Sequence, residues 1–340
     1  MRIAQVAPLY ESVPPQYYGG TERIVAYLTE ELVRQGHTVT LFASGDSVTT
    51  ARLIAPCRRA LRLDPHGRDP LAPHVLLLEQ VFTDPTRFDL IHFHIEYLHF
   101  PLSRRHCTPH VTTLHLRLDL PDLVPLYWEF REMPVVSISH AQRSPLPWLN
   151  WQGTVYHGLP ADLYPFGGTP EPYLAFVGRL SPEKGADRAI EIARRVGMPL
   201  KIVGKIDTAH RAYFKAVITP LLQEPFVEYL GEIGEGEKAA VLGHAYALLF
   251  PIDWPEAFGV VMIEAMACGT PIIAYRHGSV PEVMEEGVTG FVVEDLEAAV
   301  KAVERVSSID RARCRQVCEA RFSVTRMAQD YLRIYRRLVA

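Results

Sequence analysis

Tyr173-Leu174-Ala175-Phe176-Val177-Gly178-Arg179-Leu180-Ser181-Pro182-Glu183-Lys184-Gly185-Ala186 runs from an apolar stretch into a loop that carries two glycines and two cations, and a helical pattern begins at Ala186. Strand, loop and helix in that order make one βα unit. In open α/β sheets the loop beyond a strand's C-terminal end is where ligands bind. The same rhythm extends on both sides of this stretch. Towards the C-terminus it predicts strands at Leu200–Val203, Val227–Leu230, Ala247–Pro251 and Pro271–Tyr275. Between them it predicts helices at Gly185–Val196, near Ala209–Ile218, at Gly236–His244, Gly259–Ala267 and Val280–Glu285. Towards the N-terminus it predicts strands at Ile3–Pro8, His37–Ala43, Val75–Leu78, Leu90–His94, Val111–Leu114, Val135–Ser139 and Thr154–Tyr156, and a helix at Thr21–Gln35. Alternation of this kind predicts α/β architecture with parallel sheets, here as two Rossmann-like units.

A chain of 340 residues has room for two such domains. The Pro- and Gly-rich stretch Gly158–Pro172 interrupts the pattern. It predicts a first domain over 1–160, a linker over 161–172 and a second domain over 173–322. Met327, Tyr331, Ile334, Tyr335 and Leu338 stand at helical spacing within the closing stretch 323–340. A hydrophobic share of 48% with 22% charged residues is the balance of a globular chain, and the formal charge of -4 argues against a nucleic-acid partner. No apolar run approaches a bilayer span, and the first residues read as a strand without a secretion signal, so the expected setting is cytoplasmic. Five scattered cysteines give no disulfide framework, and no ligand spacing predicts a metal site.

Arg179 and Lys184 suit a diphosphate, because the guanidinium can hold two oxygens in a planar fork while the ammonium acts as a mobile point charge. Pro255-Glu256-Ala257-Phe258-Gly259-Val260 follows the apolar run Ala247–Pro251 and opens a helix. The unpaired amides and positive dipole end of such a helix bind anions, and Gly259 lets a ligand approach. Glu256 precedes the helix start, and Glu264 lies about 7.5 Å beyond Gly259 at 1.5 Å per residue. Two carboxylates bracketing a phosphate position must accept hydrogen bonds from hydroxyls, which sugars supply in pairs. A Glu264 stranded among Ile263, Ala265 and Met266 would pay heavily for burial without a partner.

Gly-Arg-x4-Lys-Gly at 178–185, with Glu-x7-Glu at 256–264 inside Pro-Glu-x-Phe-Gly, resembles the retaining glycosyltransferases of family 4. The likeness continues through Ala267–Ala274, Gly278–Glu282 and Glu286–Phe291. It implies the GT-B fold, with two Rossmann-like domains facing across a cleft and a final helix crossing back to the first domain. It further implies donor binding by the second domain, with Arg179 and Lys184 on the diphosphate, Phe258, Gly259 and Val260 at the helix start, Glu264 on the ribose and Glu256 near the sugar. In the first domain, Gly19-Gly20-Thr21-Glu22 opens a helix after the first strand, and the resemblance implies that Gly19 and Gly20 close over the donor phosphates. Thr112-Thr113-Leu114-His115 is similar to the family's Thr-x-His segment, which implies that His115 contacts the donor sugar at the reacting centre; Leu116 stands where many relatives have Asp or Gly. His157 stands where relatives usually carry Asn.

The implied reaction moves a hexosyl group from a UDP-glucose or GDP-mannose type of donor to a glycan, lipid or small-molecule acceptor, with retention and without a metal or cofactor. No residue stands out as a covalent nucleophile, so the departing phosphate is expected to take the acceptor's proton. A sugar-nucleotide 2-epimerase of the same architecture and a non-catalytic nucleotide-sugar binding protein are the alternatives. For a lipid acceptor, the pairs Arg58-Arg59 and Arg104-Arg105 are the candidate points of peripheral contact with the inner face of a membrane.

Overall fold

The computed structural model describes every residue except 66, 68 and 84–86. The chain divides into two compact units, 1–158 with 324–340, and 159–323. In the first unit seven strands form one parallel sheet: β1 (Arg2–Val6), β2 (Thr38–Phe42), β3 (Arg52–Ile54), β4 (Leu90–Phe93), β5 (His110–Thr113), β6 (Val135–Ser137) and β7 (Trp151–Thr154). Their order is β3-β2-β1-β4-β5-β6-β7. The second unit holds β8 (Leu174–Val177), β9 (Leu200–Val203), β10 (Val227–Gly231), β11 (Ala247–Phe250), β12 (Ile272–Tyr275) and β13 (Gly290–Val293), in the order β10-β9-β8-β11-β12-β13. Each sheet reverses its direction of winding once, between β1 and β4 and between β8 and β11. These are the switch points at which doubly wound sheets take ligands.

β1, β4, β8, β11 and β12 are buried almost throughout, which is why they read as continuous apolar runs instead of alternating ones. Helices cover the sheets with amphipathic faces. Ala186, Ala189, Ile190 and Ala193 of the helix Ala186–Val196 face the second core, and Gly197 ends that helix in the left-handed region, φ 69°. The final helix Val324–Val339 belongs to the first unit, as expected, where it packs on the helix Gly20–Arg34 and on β4. Residues 159–172 lie with the second unit, held by Gly167 N donating to Cys268 O at 2.8 Å and Glu171 N to His244 O at 2.7 Å.

The structure corrects the sequence reading in several places. Val75–Leu78 is not a strand; it lies within the helix Leu71–Phe82, where His74, Leu77, Leu78 and Val81 are buried at helical spacing and Leu71, Val75 and Leu76 are exposed. A short apolar run has no period of its own, so strand and helix read alike until the packing partner is known. Sequence gave no signal for β3, a three-residue edge strand, or for β13 and the helix Leu296–Arg305. The strand expected at Thr154–Tyr156 ends at Thr154, and the helix expected at Val280–Glu285 is a single turn, Val280–Val283. The helix near Ala209–Ile218 contains a wide π turn at Phe214–Ile218. All five cysteines are free.

Candidate functional site

At the switch point of the second sheet, the loop after β8 meets the loop after β11. Gly185 makes the approach feasible: its φ is 75°, and a Cβ there would stand 2.3 Å from the Pro251 carbonyl oxygen. Asp253 N donates to Glu183 O at 2.8 Å and joins the same two loops. A Gly185→Ala variant is expected to lose about 2–3 kcal/mol of stability in the second unit, combining left-handed strain with the clash. Urea unfolding followed through Trp254 measures that loss.

The junction brings Lys184 Nζ to 2.5 Å from Glu256 Oε2, with both side chains only about an eighth exposed (13% and 12%). Trp254 Nε1 donates to the same carboxylate oxygen at 3.1 Å, and its ring lies 4.9 Å from Lys184 Nζ and 5.6 Å from the Arg179 guanidinium. Arg179 is paired with Glu183 at 3.3 Å and Asp207 at 3.5 Å, and Lys205 also reaches Asp207 at 3.1 Å. Three cations therefore converge with three acids, and an arriving anion would exchange carboxylate partners for phosphate ones. A third loop supports Glu256 from behind, with Ser279 N donating to Glu256 O at 2.9 Å. Gly278, φ 57°, permits this, since a Cβ would stand 2.3 Å from the Glu256 backbone.

Gly259, φ 75°, stands at the N-cap of the helix Val260–Ala267, and both Gly259 and Val260 retain surface. Phe258, expected at the donor from sequence, is instead buried at 1% exposure, with its ring 5.9 Å from that of Phe322. Glu264 is buried one turn further along, and it is not stranded: Lys238 Nζ, from the helix Glu235–His244, donates to its Oε1 at 2.8 Å. Lys238 also reaches Glu235 at 3.1 Å. Burial pushes the Glu235 carboxyl up to about 7, the Lys238 charge opposes this, and the Glu264 charge reinforces it. Lys238 and Glu235 were missed from sequence because nothing in their spacing ties them to Glu264, which is 26 residues from Lys238.

Gly19, Gly20 and His115 lie in the first unit. Gly19 precedes the helix Gly20–Arg34 with φ 148°, and a Cβ there would stand 2.8 Å from Pro15 Cβ; around Gly20 the space is open. His115 follows β5, and its ring Nε2 lies 2.9 Å from His94 Nδ1. His115 N and Leu116 N both donate to Glu96 Oε1, at 2.8 and 3.3 Å. Glu96 sits at φ 54°, and burial of its carboxyl pushes it up to about 7 against those hydrogen bonds. Burial holds His115 down at about 3, and its ring stacks on His157 at 5.5 Å between centroids. Among the described residues no group of three or more His, Cys, Asp or Glu is arranged to hold a metal ion. Arg104, one of the candidate membrane contacts, is occupied by Glu129 at 2.7 Å and Glu132 at 2.6 Å, whereas Arg58 and Arg59 are exposed. No helix among the described residues is long and apolar enough to cross a membrane.

Two family models match the two halves of the chain: "Glycosyltransferase Family 4" over residues 18–153 and "Glycosyl transferases group 1" over residues 167–321. The chain belongs to glycosyltransferase family 4. An alpha-maltose-1-phosphate synthase of Mycolicibacterium smegmatis is 32% identical over 189 residues, covering 50% of this family 4 chain and 49% of the relative. The chain spans about half the length of the curated relatives that it matches at this level of identity. Among solved structures, sucrose-phosphate synthase from Thermosynechococcus elongatus superposes with a TM-score of 0.83 at 21% identity, over 99% of each chain. Anabaena HepE in complex with UDP-glucose does so with 0.74 at 19% identity, over 99% of this chain and 100% of that one. With the two parallel sheets, these likenesses make the fold of this family 4 chain GT-B.

Proposed function

We propose that this chain transfers a hexosyl group, with retention of configuration, from a nucleotide diphosphate sugar of the UDP-glucose or GDP-mannose kind to a hydroxyl of a glycan, lipid or small-molecule acceptor. The observation that carries this reading is the meeting of Lys184 and Glu256 beside the helix start at Gly259, at the switch point of the second sheet. HepE, a protein of the same fold solved in complex with UDP-glucose, supports a donor of that class. A cytoplasmic setting accords with such a donor.

Breaking the anomeric bond leaves charge on the diphosphate. Arg179, Lys184 and the unpaired amides at the helix start supply the compensating positive charge without an added metal ion or cofactor. When Lys184 moves from Glu256 to phosphate, a Glu256 carboxylate oxygen is released to accept a sugar hydroxyl. The departing phosphate oxygen takes the acceptor's proton on the same face, so configuration is kept and no enzyme nucleophile is needed. Glu264, oriented by Lys238, accepts from the ribose diol.

The test is release of UDP or GDP from the corresponding sugars, with and without acceptors. Isomerised sugar without nucleotide release would replace the transferase reading with an epimerase, and tight binding without turnover across acceptors would replace it with a binding protein. Glu264→Gln removes the charge that Lys238 and the ribose hydroxyls share, and is expected to weaken nucleotide binding roughly tenfold. Calorimetric titration with UDP and GDP checks this, and unchanged affinity would detach Glu264 from the ribose.

A further inference from the structure

The first unit contains a continuous buried chain of hydrogen bonds that ends at His115. His94 Nε2 donates to Gln5 Oε1 at 2.8 Å, and Gln5 Nε2 donates to the Tyr335 hydroxyl at 3.3 Å. Beyond it, Tyr335 meets His92 Nδ1 at 2.7 Å, His92 Nε2 meets Thr113 Oγ1 at 2.7 Å, and Thr113 meets the Tyr331 hydroxyl at 2.8 Å. Gln5, His92, Thr113, Tyr331 and Tyr335 are fully buried and His94 nearly so. The links come from β1, β4, β5 and the final helix, four elements that converge at one end of the sheet.

A neutral imidazole has one donor nitrogen and one acceptor nitrogen. With its Nε2 hydrogen given to Gln5, His94 faces His115 with a bare Nδ1, 2.9 Å from His115 Nε2. Two bare nitrogens would repel at that distance, so His115 Nε2 carries the hydrogen and its Nδ1 is the lone-pair nitrogen. Among the described residues none hydrogen-bonds to His115 Nδ1, and the residue keeps some surface. Glu96 fixes the other degree of freedom by holding the His115 and Leu116 amides. Burial keeps the ring neutral, in agreement with this accounting.

We infer that Gln5 and His94 are positioning residues that hold His115 in the Nε2–H tautomer, so that it meets a ligand through Nδ1, as an acceptor from a hydroxyl and not as a donor. The ligand half of this inference rests on the reading of His115 as a donor-sugar contact; the tautomer half does not.

Proton–nitrogen correlation spectra of the full chain with nitrogen-15 histidine, assigned with His115→Asn, read the tautomer without any substrate. The expected result is an Nε2–H His115 in the wild type and also in Gln5→Glu, because a carboxylate still accepts from His94 Nε2, the link that sets the His115 tautomer, while the Tyr335 hydroxyl turns to donate to it. In Gln5→Met, which removes the acceptor, a mixture of tautomers is expected, together with a fall in kcat of roughly tenfold at little change in donor KM. An Nδ1–H His115 in the wild type, or a switch of tautomer in Gln5→Glu, overturns the inference even if Gln5→Met fails to fold. A single unchanged tautomer in folded Gln5→Met overturns the role of Gln5. If the tautomer is as inferred but His115→Asn transfers sugar at the wild-type rate, the relay stands and the ligand role of His115 falls.

Discussion

Replacing Lys184 with alanine lowers kcat for nucleotide release by about a hundredfold to a thousandfold, the usual effect of removing one preorganised group from a developing negative charge. Lys184 lies between Glu256 and the rings of Trp254 and Phe250, where little water competes for its charge. Its loss also leaves Glu256 with Trp254 Nε1 as its remaining described donor. Lys184→Ala alone therefore combines lost catalysis with a local folding penalty, and Lys184→Ala/Glu256→Gln separates them. The double variant is expected to recover thermal stability and not turnover. Steady-state kinetics beside thermal unfolding of both proteins checks this. A folded single variant with near wild-type turnover would remove the phosphate role of Lys184 and with it the main support for the proposed chemistry.

Acid should unfold the first unit well before it unfolds an ordinary α/β domain. His92, His94, His99, His115 and His157 are all held below the usual imidazole range, His115 by burial and the others chiefly by burial and secondarily by neighbouring charges, which for His157 include Arg326. Each is neutral when folded and titrates near 6.5 when unfolded. Above that pH neither state takes up the proton, and stability is at its plateau. Below it the unfolded chain binds more protons, and stability falls by about 1.4 kcal/mol per pH unit for each group until its folded value is reached. At pH 5 the loss is about 2 kcal/mol per imidazole, so several together rival the roughly 5–15 kcal/mol that holds a domain. Glu96 works in the opposite direction: with its folded value raised to about 7, it gains stability as pH falls from there towards 4.5, by up to about 3 kcal/mol. That offsets between one and two of the imidazoles. Three of the four tryptophans, Trp128, Trp148 and Trp151, lie in the first unit, so fluorescence-monitored urea unfolding from pH 8 to 5 follows it. His157→Asn should lower the acid midpoint by removing one contributor. A flat profile across that range would mean that these rings take up protons without unfolding.

The parallel α/β character and the positions of Arg179, Lys184, Glu256 and Gly259 were legible in the sequence because they depend on local rules. A strand buried on both faces is a continuous apolar run, a helix start follows a glycine, and each of these residues lies in a loop that directly follows such a run. Where a short run had no period, as at Val75–Leu78, or an edge strand had no burial to mark it, as at Arg52–Ile54, the same rules failed. Sequence alone thus determined which loops could carry chemistry and which charges they held, since those properties belong to residues close together in the chain. Tertiary structure decided who partners whom: Lys184 with Glu256 across 72 residues, Lys238 with Glu264 across 26, and Gln5 with Tyr335 across 330. The energy of a buried charge or hydrogen bond depends on the atom opposite it, and the order of strands in the sheet, not their order in the chain, determines which atom that is.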